Sequence, residues 1–211
     1  MEWNAVLFLG AYHGINPGMG WLFAVALGMQ QGSVRGVWRA LPPIALGHAV
    51  AVGAVLLVGA LAQMVVPLAL LKVVVAVVLV AFGLYRLWRH RHPRFGGMRV
   101  GFRDLTIWSF LMASAHGAGL MVLPFVMGIS NHVLAAGGAR AHHVAAMNAA
   151  VPWVGAVALS LHTLAYLFVL AFAAWIVYRK LGLALLRTAW LNLDLLWAAA
   201  LVLTGVLIFF I

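Results

Sequence analysis

Residues 70–88 read LLKVVVAVVLVAFGLYRLW, a run in which every face of a helix would be almost entirely apolar. A helix that is apolar all round is either buried in a large core or crosses a membrane. Roughly 20 apolar residues are needed for an α-helix to cross the hydrocarbon layer of a bilayer. The stretch therefore predicts a membrane-spanning helix.

The composition extends this prediction to the whole chain. Its 211 residues are 66% hydrophobic and only 8% charged, whereas soluble domains carry about 25% charged residues. Backbone groups in lipid must be hydrogen-bonded within their own segment, so apolar runs are expected to be helices. We predict an all-α integral membrane protein with six transmembrane helices, at about 4–30, 41–62, 65–88, 105–129, 150–177 and 189–211.

The basic residues predict how these spans are oriented. Eleven of the 13 Lys and Arg residues fall on odd-numbered loops, and only Lys72 and Arg140 fall on the other side. Basic loops are retained in the cytoplasm. We therefore expect a multi-pass protein of the bacterial inner membrane, with both termini outside the cytoplasm. The segment 130–149 is too polar for a span and is expected to be an external loop with a short interfacial helix.

Several classes of protein are disfavoured. The absence of cysteine excludes disulfides and thiolate metal sites. The net charge of +10 is explained by membrane orientation, so no nucleic-acid partner is expected. The first residues carry no basic segment ahead of their apolar run and are expected to start the first helix rather than a cleaved signal. No catalytic triad, HExxH or carboxylate pair suggests an enzyme.

The two halves of the chain carry similar landmarks in the same order. His13 and His116 are each followed by glycine, and His48 and His162 each lie in the next span. Lys72 and Asp194 precede a glycine by the same number of residues. Because each half holds an odd number of spans, the halves would be inverted in the membrane, as in many secondary transporters. We predict two inverted three-helix repeats, 1–94 and 95–211.

Four histidines therefore lie inside predicted spans: His13, His48, His116 and His162. Ionisable residues inside a membrane are costly and usually face a cavity or a partner. Each could instead be a structural histidine bonded to a carbonyl. Their matching places in two halves favour a shared binding site, and their ordinary pKa near 6.5 makes them candidates for proton coupling.

Prolines and glycines predict that the histidine-bearing helices are broken. Pro17 removes the hydrogen bond to the carbonyl of His13, four residues earlier, and should break the helix there. Asn16 would add an amide on the same face, and Gly14 and Gly18 would allow close approach. We expect a histidine, an amide and an unpaired carbonyl at one break, as in ion sites of discontinuous helices.

The second half shows a related pattern. His116 is followed by Gly117, which is predicted to break the helix, and Pro124 is predicted to break it again later. Met121 lies near His116, and methionine with histidine suits Cu(I), whereas imidazole alone suits Ni, Co, Zn or Cu. Packing is the alternative explanation for the methionines. No carboxylate lies at mid-membrane, which disfavours hard cations.

The stretch HGINPGMG at 13–20, followed by GHAVAV at 47–52, resembles the nickel/cobalt exporters of the NicO type, in the lysine-exporter (LysE) superfamily. The resemblance implies six spans, a three-plus-three repeat and metal contacts at His13, Met19 and His48, with counterparts at His116 and His162. Met19 stands where that family has a second histidine. The histidine-rich loop of those exporters is missing.

Three functions remain open from the sequence. The first is a secondary transporter that moves a transition-metal cation (Ni, Co, Zn or Cu) through the histidines, with no resident cofactor. The second is an exporter of a small organic solute such as an amino acid. The third is a membrane haem-binding protein, in which histidines of adjacent spans would ligate the iron. The partners expected are the lipid bilayer and the transported solute or ion, and the small-residue faces allow a homodimer.

Overall fold

The computed structural model describes residues 2–63, 65–88, 101–136, 143–181 and 193–208. Within these ranges every regular element is a helix. The α-helices are α1 (Glu2–Ile15), α2 (Trp21–Gln30), α3 (Val34–Gln63), α4 (Leu68–Trp88), α5 (Phe102–Ala115), α6 (Ala118–Ala136), α7 (His143–Ile176) and α8 (Leu193–Ile208). A 3₁₀ turn (Pro17–Met19) joins α1 to α2, and a π-helical turn (Val177–Leu181) follows α7.

Two of these helices are long and apolar enough to cross a membrane, at Val34–Gln63 and Trp153–Lys180. A third span results if α5 and the first part of α6, which are bent by 64° at their junction, are counted together. The segments Trp21–Gln30 and Ala69–Tyr85 are shorter apolar helices. Many large apolar side chains, such as Phe8 and Phe168, are exposed on the outside of the helices, a surface that suits contact with lipid.

Some predicted boundaries are wrong. The run at 41–62 begins earlier, because α3 starts at Val34 and continues through Pro42 and Pro43. The predicted external loop at 130–149 is largely helical: α6 extends to Ala136 and α7 begins at His143. Alanine-rich sequence favours helix even where it is too polar for lipid, so more of the segment is helical than the short interfacial helix predicted there. Asp194 lies in α8, and Arg140 lies outside the described residues.

Glycines allow α1 to pack closely on α7. A Cβ added at Gly10 would lie 3.1 Å from the Cβ of Ala165, and one at Gly14 would lie 2.9 Å from the Cβ of Val169. The two helices therefore run parallel, with the His13 end of α1 beside the middle of α7. The contact between α3 and α5 is about as extensive as the contact between α1 and α7. If the two predicted halves were equivalent, α1 would correspond to α5 and α7 to α3, so the two contacts would match.

The α4–α8 pair shows a reciprocal arrangement. A Cβ on Gly83 would lie 3.0 Å from the carbonyl oxygen of Ala198, and a Cβ on Gly205 would lie 2.9 Å from that of Ala76. Each glycine thus meets the carbonyl that lies seven residues before the other glycine. The helices are antiparallel, and a local two-fold axis perpendicular to them relates their contacts.

Candidate functional site

Three histidines from three helices meet in the interior. The ring centroid of His13 lies 5.6 Å from that of His48 and 5.0 Å from that of His162. The rings of His48 and His162 are nearly parallel, with centroids 5.4 Å apart. All three side chains are fully buried. We call these three residues the histidine cluster.

His116 lies at the junction of α5 and α6 and is not one of the three residues of the histidine cluster. It caps the C-terminus of α5 at the bend into α6 and is buried. All four histidines of the predicted spans are therefore buried inside the helix bundle.

Hydrogen bonds to backbone carbonyls fix the tautomer of three of these histidines. Nδ1 of His13 bonds the carbonyl of Leu9, and Nδ1 of His116 bonds that of Met112 at 2.7 Å. Nδ1 of His162 bonds the carbonyl of Val6 at 3.2 Å. A carbonyl oxygen only accepts, so each Nδ1 carries the proton. In the neutral rings the Nε2 atoms of His13, His116 and His162 are then the basic nitrogens.

His13 and His116, which follow the same pattern in the sequence, make the same kind of hydrogen bond. His13 and His116 each bond the carbonyl four residues earlier in their own helix, just before a helix break. A carbonyl that holds Nδ1–H orients the ring and raises the basicity of the opposite nitrogen, as is usual around metal-binding histidines. The same local geometry thus prepares one Nε2 atom at each break.

His48 differs from the other three histidines. Its Nε2 lies 3.2 Å from Nε2 of His162. Because Nδ1 of His162 carries the proton in the neutral ring, Nε2 of His48 must donate in this bond. Nδ1 of His48 is then a bare lone pair. It is buried and has no hydrogen-bond partner among the described residues.

The spacing of the cluster can be compared with metal ligation. Zn–N bonds of about 2.0–2.1 Å at a tetrahedral metal place two ligand nitrogens about 3.3–3.4 Å apart and their ring centroids about 5 Å apart. The described residues nevertheless hold no group of three or more His, Cys, Asp or Glu side chains arranged to bind a metal ion.

The first helix break differs from the prediction in its polar groups. Its α-helix ends at Ile15 and Pro17 opens the 3₁₀ turn. The carbonyl of His13 was predicted to be unpaired. This prediction is wrong, because the backbone N–H of Asn16 donates to that carbonyl at 3.3 Å. The side chain of Asn16 accepts from the backbone N–H of Gly18 at 2.9 Å. Asn16 therefore caps the turn instead of extending the polar site.

Methionine placement favours packing over ligation. The side chains of Met19 and Met121 are both buried in the apolar core. Met19 contributes a backbone carbonyl to the first break, where it accepts a hydrogen bond from Tyr166. The backbone N–H of Met121 donates to Gly117 at 3.0 Å in the first turn of α6.

Pro124 was predicted to break the helix that follows His116, and this prediction is wrong. The helix α6 runs through it from Ala118 to Ala136, and the break lies at Gly117, where φ is +68°. A positive φ is readily adopted only by glycine. Proline inside a membrane helix can be accommodated when neighbouring groups satisfy the freed carbonyl. The position of the glycine, rather than that of the proline, sets this bend.

Two residues beside the cluster were missed from the sequence. The ring of Tyr166 stacks on that of His48, with centroids 3.9 Å apart, and its hydroxyl donates to the carbonyl of Met19 at 2.6 Å. Ser109 of α5 donates to the carbonyl of Ile44 in α3, one turn before His48, at 2.6 Å. Tyr166 is fully buried. Its position one helical turn after His162 was the available signal.

Two cavities in the bundle are apolar and do not include the histidines. One of about 210 Å³ lies between α3, α6 and α7, and one of about 400 Å³ lies between α3, α4, α5 and α6. None of these four histidines lines either cavity. The side chains of the histidine cluster are fully buried in this conformation.

Comparison with known proteins adds no family assignment: no protein-family model, no curated protein and no solved structure matches the chain.

Proposed function

We propose that the chain is a membrane transporter of a divalent transition-metal cation, which binds to the histidine cluster during transport. The observation that carries the proposal is the meeting of His13, His48 and His162 from three helices, with ring centroids 5.0–5.6 Å apart. Three imidazoles around one tetrahedral cation would have ring centroids about 5 Å apart. Buried ionisable clusters inside membrane helices mark pathways for ions and protons.

The hydrogen bonds support a role in ligation. Carbonyl groups fix the rings of His13 and His162 with Nε2 as the basic nitrogen. His48 would move its proton from Nε2 to Nδ1 as the cation binds, because a neutral imidazole that ligates through Nε2 keeps its proton on the other ring nitrogen. The conformation described would then be the cation-free state, in which the His48–His162 bond takes the place of the metal.

Transport also needs two alternately open states, and the helix contacts are compatible with an inverted repeat. Exchanging the halves converts the α1–α7 contact into the α5–α3 contact, and these contacts are similar in extent. The reciprocal contacts of Gly83 and Gly205 relate α4 to α8 by a two-fold axis perpendicular to the helices. On this proposal the chain has six spans in two inverted halves, with the short and broken helices completing spans.

The donor set favours borderline cations. Imidazole suits Ni, Co, Zn and Cu, whereas Mg and Ca prefer several oxygen ligands. Cu(I) would gain from thioether ligands. The polar contact of Met19 near the cluster is made by its backbone carbonyl, which accepts from Tyr166, and not by its sulfur. We propose Ni, Co or Zn as the transported ions, in agreement with the resemblance to the NicO type within the LysE superfamily.

The two alternative functions fit the cluster less well. An organic solute such as an amino acid would require space beside the histidines, and the two apolar cavities do not reach them. A haem held between His48 and His162 would require a porphyrin plane to pass between Nε2 atoms that are 3.2 Å apart. A bare cation needs neither change.

The basic residues and apolar helices complete the proposal for location. We place the protein in the bacterial inner membrane, with its Arg- and Lys-rich loops in the cytoplasm and both termini outside. Its partners are then lipid and the cation, and a homodimer remains compatible with the apolar surface.

A thermal-unfolding screen of the purified protein tests the proposal. A ligand that binds only the folded state raises the melting temperature. Ni, Co, Zn, Mn and Cu(I) would be compared with a panel of amino acids. We expect a shift with Ni, Co or Zn that is lost in His162→Ala. A shift with an amino acid and none with any metal would overturn the proposal.

A further inference from the structure

Tyr166 connects the histidine cluster to the first helix break. Its ring stacks on His48 of α3 at an interplanar angle of 13°. The hydroxyl at the far end of the same ring donates to the carbonyl of Met19, the last residue of the 3₁₀ turn. Tyr166 is fully buried, as is the Met19 side chain beside it. One rigid side chain therefore touches both a proposed cation ligand and the turn between α1 and α2.

The turn itself is short and is also bridged from α2, where Nε1 of Trp21 donates to the carbonyl of Ile15 at 2.9 Å. The 3₁₀ segment spans three residues, Pro17–Met19, and ends at Gly20, whose φ of +136° is outside the region that other residues readily adopt. Asn16 caps it from within the turn. The Tyr166 hydroxyl instead reaches the turn from α7, which belongs to the other half of the chain. The Tyr166–Met19 hydrogen bond therefore ties the two halves together at this break.

The second half has no equivalent bond. Tyr166 lies four residues after His162, and the residue four after His48 is Val52. Met19 lies six residues after His13, and the residue six after His116 is Val122. Val52 and Val122 are both fully buried and apolar. A valine has no hydroxyl, so the break at Gly117 cannot be held in the same way.

We propose that the Tyr166–Met19 hydrogen bond holds the first break closed over the histidine cluster, and that this makes the two sides of the transporter unequal. Tyr166 is a positioning residue on this account, because it acts on the path through the backbone of Met19. The inference rests on the proposed function only in taking the first break as one gate of the cation path. In the cation-free protein this gate is held and the Gly117 side is not.

The absence of native cysteines allows a test by cysteine labelling. Met19→Cys places a thiol at the turn and keeps the backbone carbonyl that Tyr166 bonds. Tyr166→Phe keeps the ring on His48 and removes the hydroxyl. We expect a maleimide to label Met19→Cys about fivefold to tenfold faster with Tyr166→Phe, the change in opening expected from losing one net hydrogen bond.

Two controls make the result specific. Tyr85→Phe removes a hydroxyl from a half-exposed tyrosine of α4 and should leave the labelling of Met19→Cys unchanged. Val122→Cys places a thiol at the equivalent point of the other half, and Tyr166→Phe should not accelerate its labelling. A variant that unfolds would label both thiols quickly. In that case the comparison is repeated with the same variants at a lower temperature, at which Tyr166→Phe is folded.

The labelling is measured without cation, so its outcome is separate from the metal proposal. Equal labelling rates of Met19→Cys with tyrosine or phenylalanine at 166, in folded protein, would overturn the gate. Faster labelling of both Met19→Cys and Val122→Cys in folded Tyr166→Phe would also overturn it, because the bond would then stabilise the bundle as a whole. If no metal stabilises the protein and only Met19→Cys is labelled faster, the result supports the gate and contradicts the proposed cation.

Discussion

The Nε2 atoms of His48 and His162 lie 3.2 Å apart in the buried centre of the bundle. The two residues occupy matching places in the two halves of the sequence, so their contact marks where the halves meet. A hydrogen bond donated by Nε2 of His48 joins them here, and on the proposed function a cation takes the place of that bond.

Removing a ring of the cluster should abolish cation binding. His48→Ala and His162→Ala each remove one of three proposed ligands. Loss of a ligand should weaken binding well beyond the roughly 10- to 100-fold typical of losing a partner that merely orients a ligand. Isothermal titration with Ni or Zn measures this. His90→Ala, at a histidine outside the predicted spans, is the matched control, and binding unchanged in His48→Ala would contradict the assignment.

The buried methionines should be dispensable for binding. Met19→Leu and Met121→Leu keep a similar volume, and such swaps usually cost less than about 1.5 kcal/mol in stability. Because Met19 contributes its carbonyl to the site, we expect Ni or Zn affinity to stay near that of the unsubstituted protein. A large loss of affinity in either variant, with normal thermal stability, would show that sulfur is a ligand.

The reciprocal glycines of α4 and α8 should respond alike to alanine. Gly83→Ala and Gly205→Ala each force a Cβ against the facing helix, and overpacking of this kind costs about 1–3 kcal/mol. Both variants should melt at a lower temperature by a similar amount. Gly155→Ala is the matched control, because a Cβ there meets nothing within 4 Å. Destabilisation by only one of the pair would argue against a two-fold relation.

The bend between α5 and α6 should depend on Gly117 and not on Pro124. Alanine at 117 would have to adopt a φ of +68°, which costs a residue with a Cβ about 1–2 kcal/mol. We expect Gly117→Ala to lower thermal stability and Pro124→Ala to leave it unchanged or raise it. If Pro124→Ala lowers the melting temperature and Gly117→Ala does not, the bend depends on the proline instead.

The sequence was sufficient to predict features that depend on local pattern. Apolar runs predicted helices, and the order of the landmarks picked out the four histidines that are buried together. Local chemistry also predicted that the chain would leave the α-helix near Pro17. The break at Gly117 was predicted, but Pro124 was also predicted to break the helix, because a proline was judged only by its missing N–H.

Contacts that join distant residues could not be predicted in the same way. The partner of the Tyr166 hydroxyl is a backbone carbonyl of Met19, and a carbonyl carries no signature in the sequence. The pairing of His13 with the carbonyl of Leu9 depends on the rotamer of the ring. Asn16 was expected to face the site because it shares a helix face with His13, but the turn after Ile15 removes that face.

Cation flux into proteoliposomes tests the central claim most directly. Purified protein would be reconstituted with a Ni- or Zn-sensitive dye inside the vesicles, and the initial rate would be compared with that of His162→Ala reconstituted at equal density. The account predicts saturable flux of Ni, Co or Zn that falls to the rate of protein-free vesicles in the variant. Equal flux through the two proteins, or none above protein-free vesicles for any of these cations with folded protein, would contradict it.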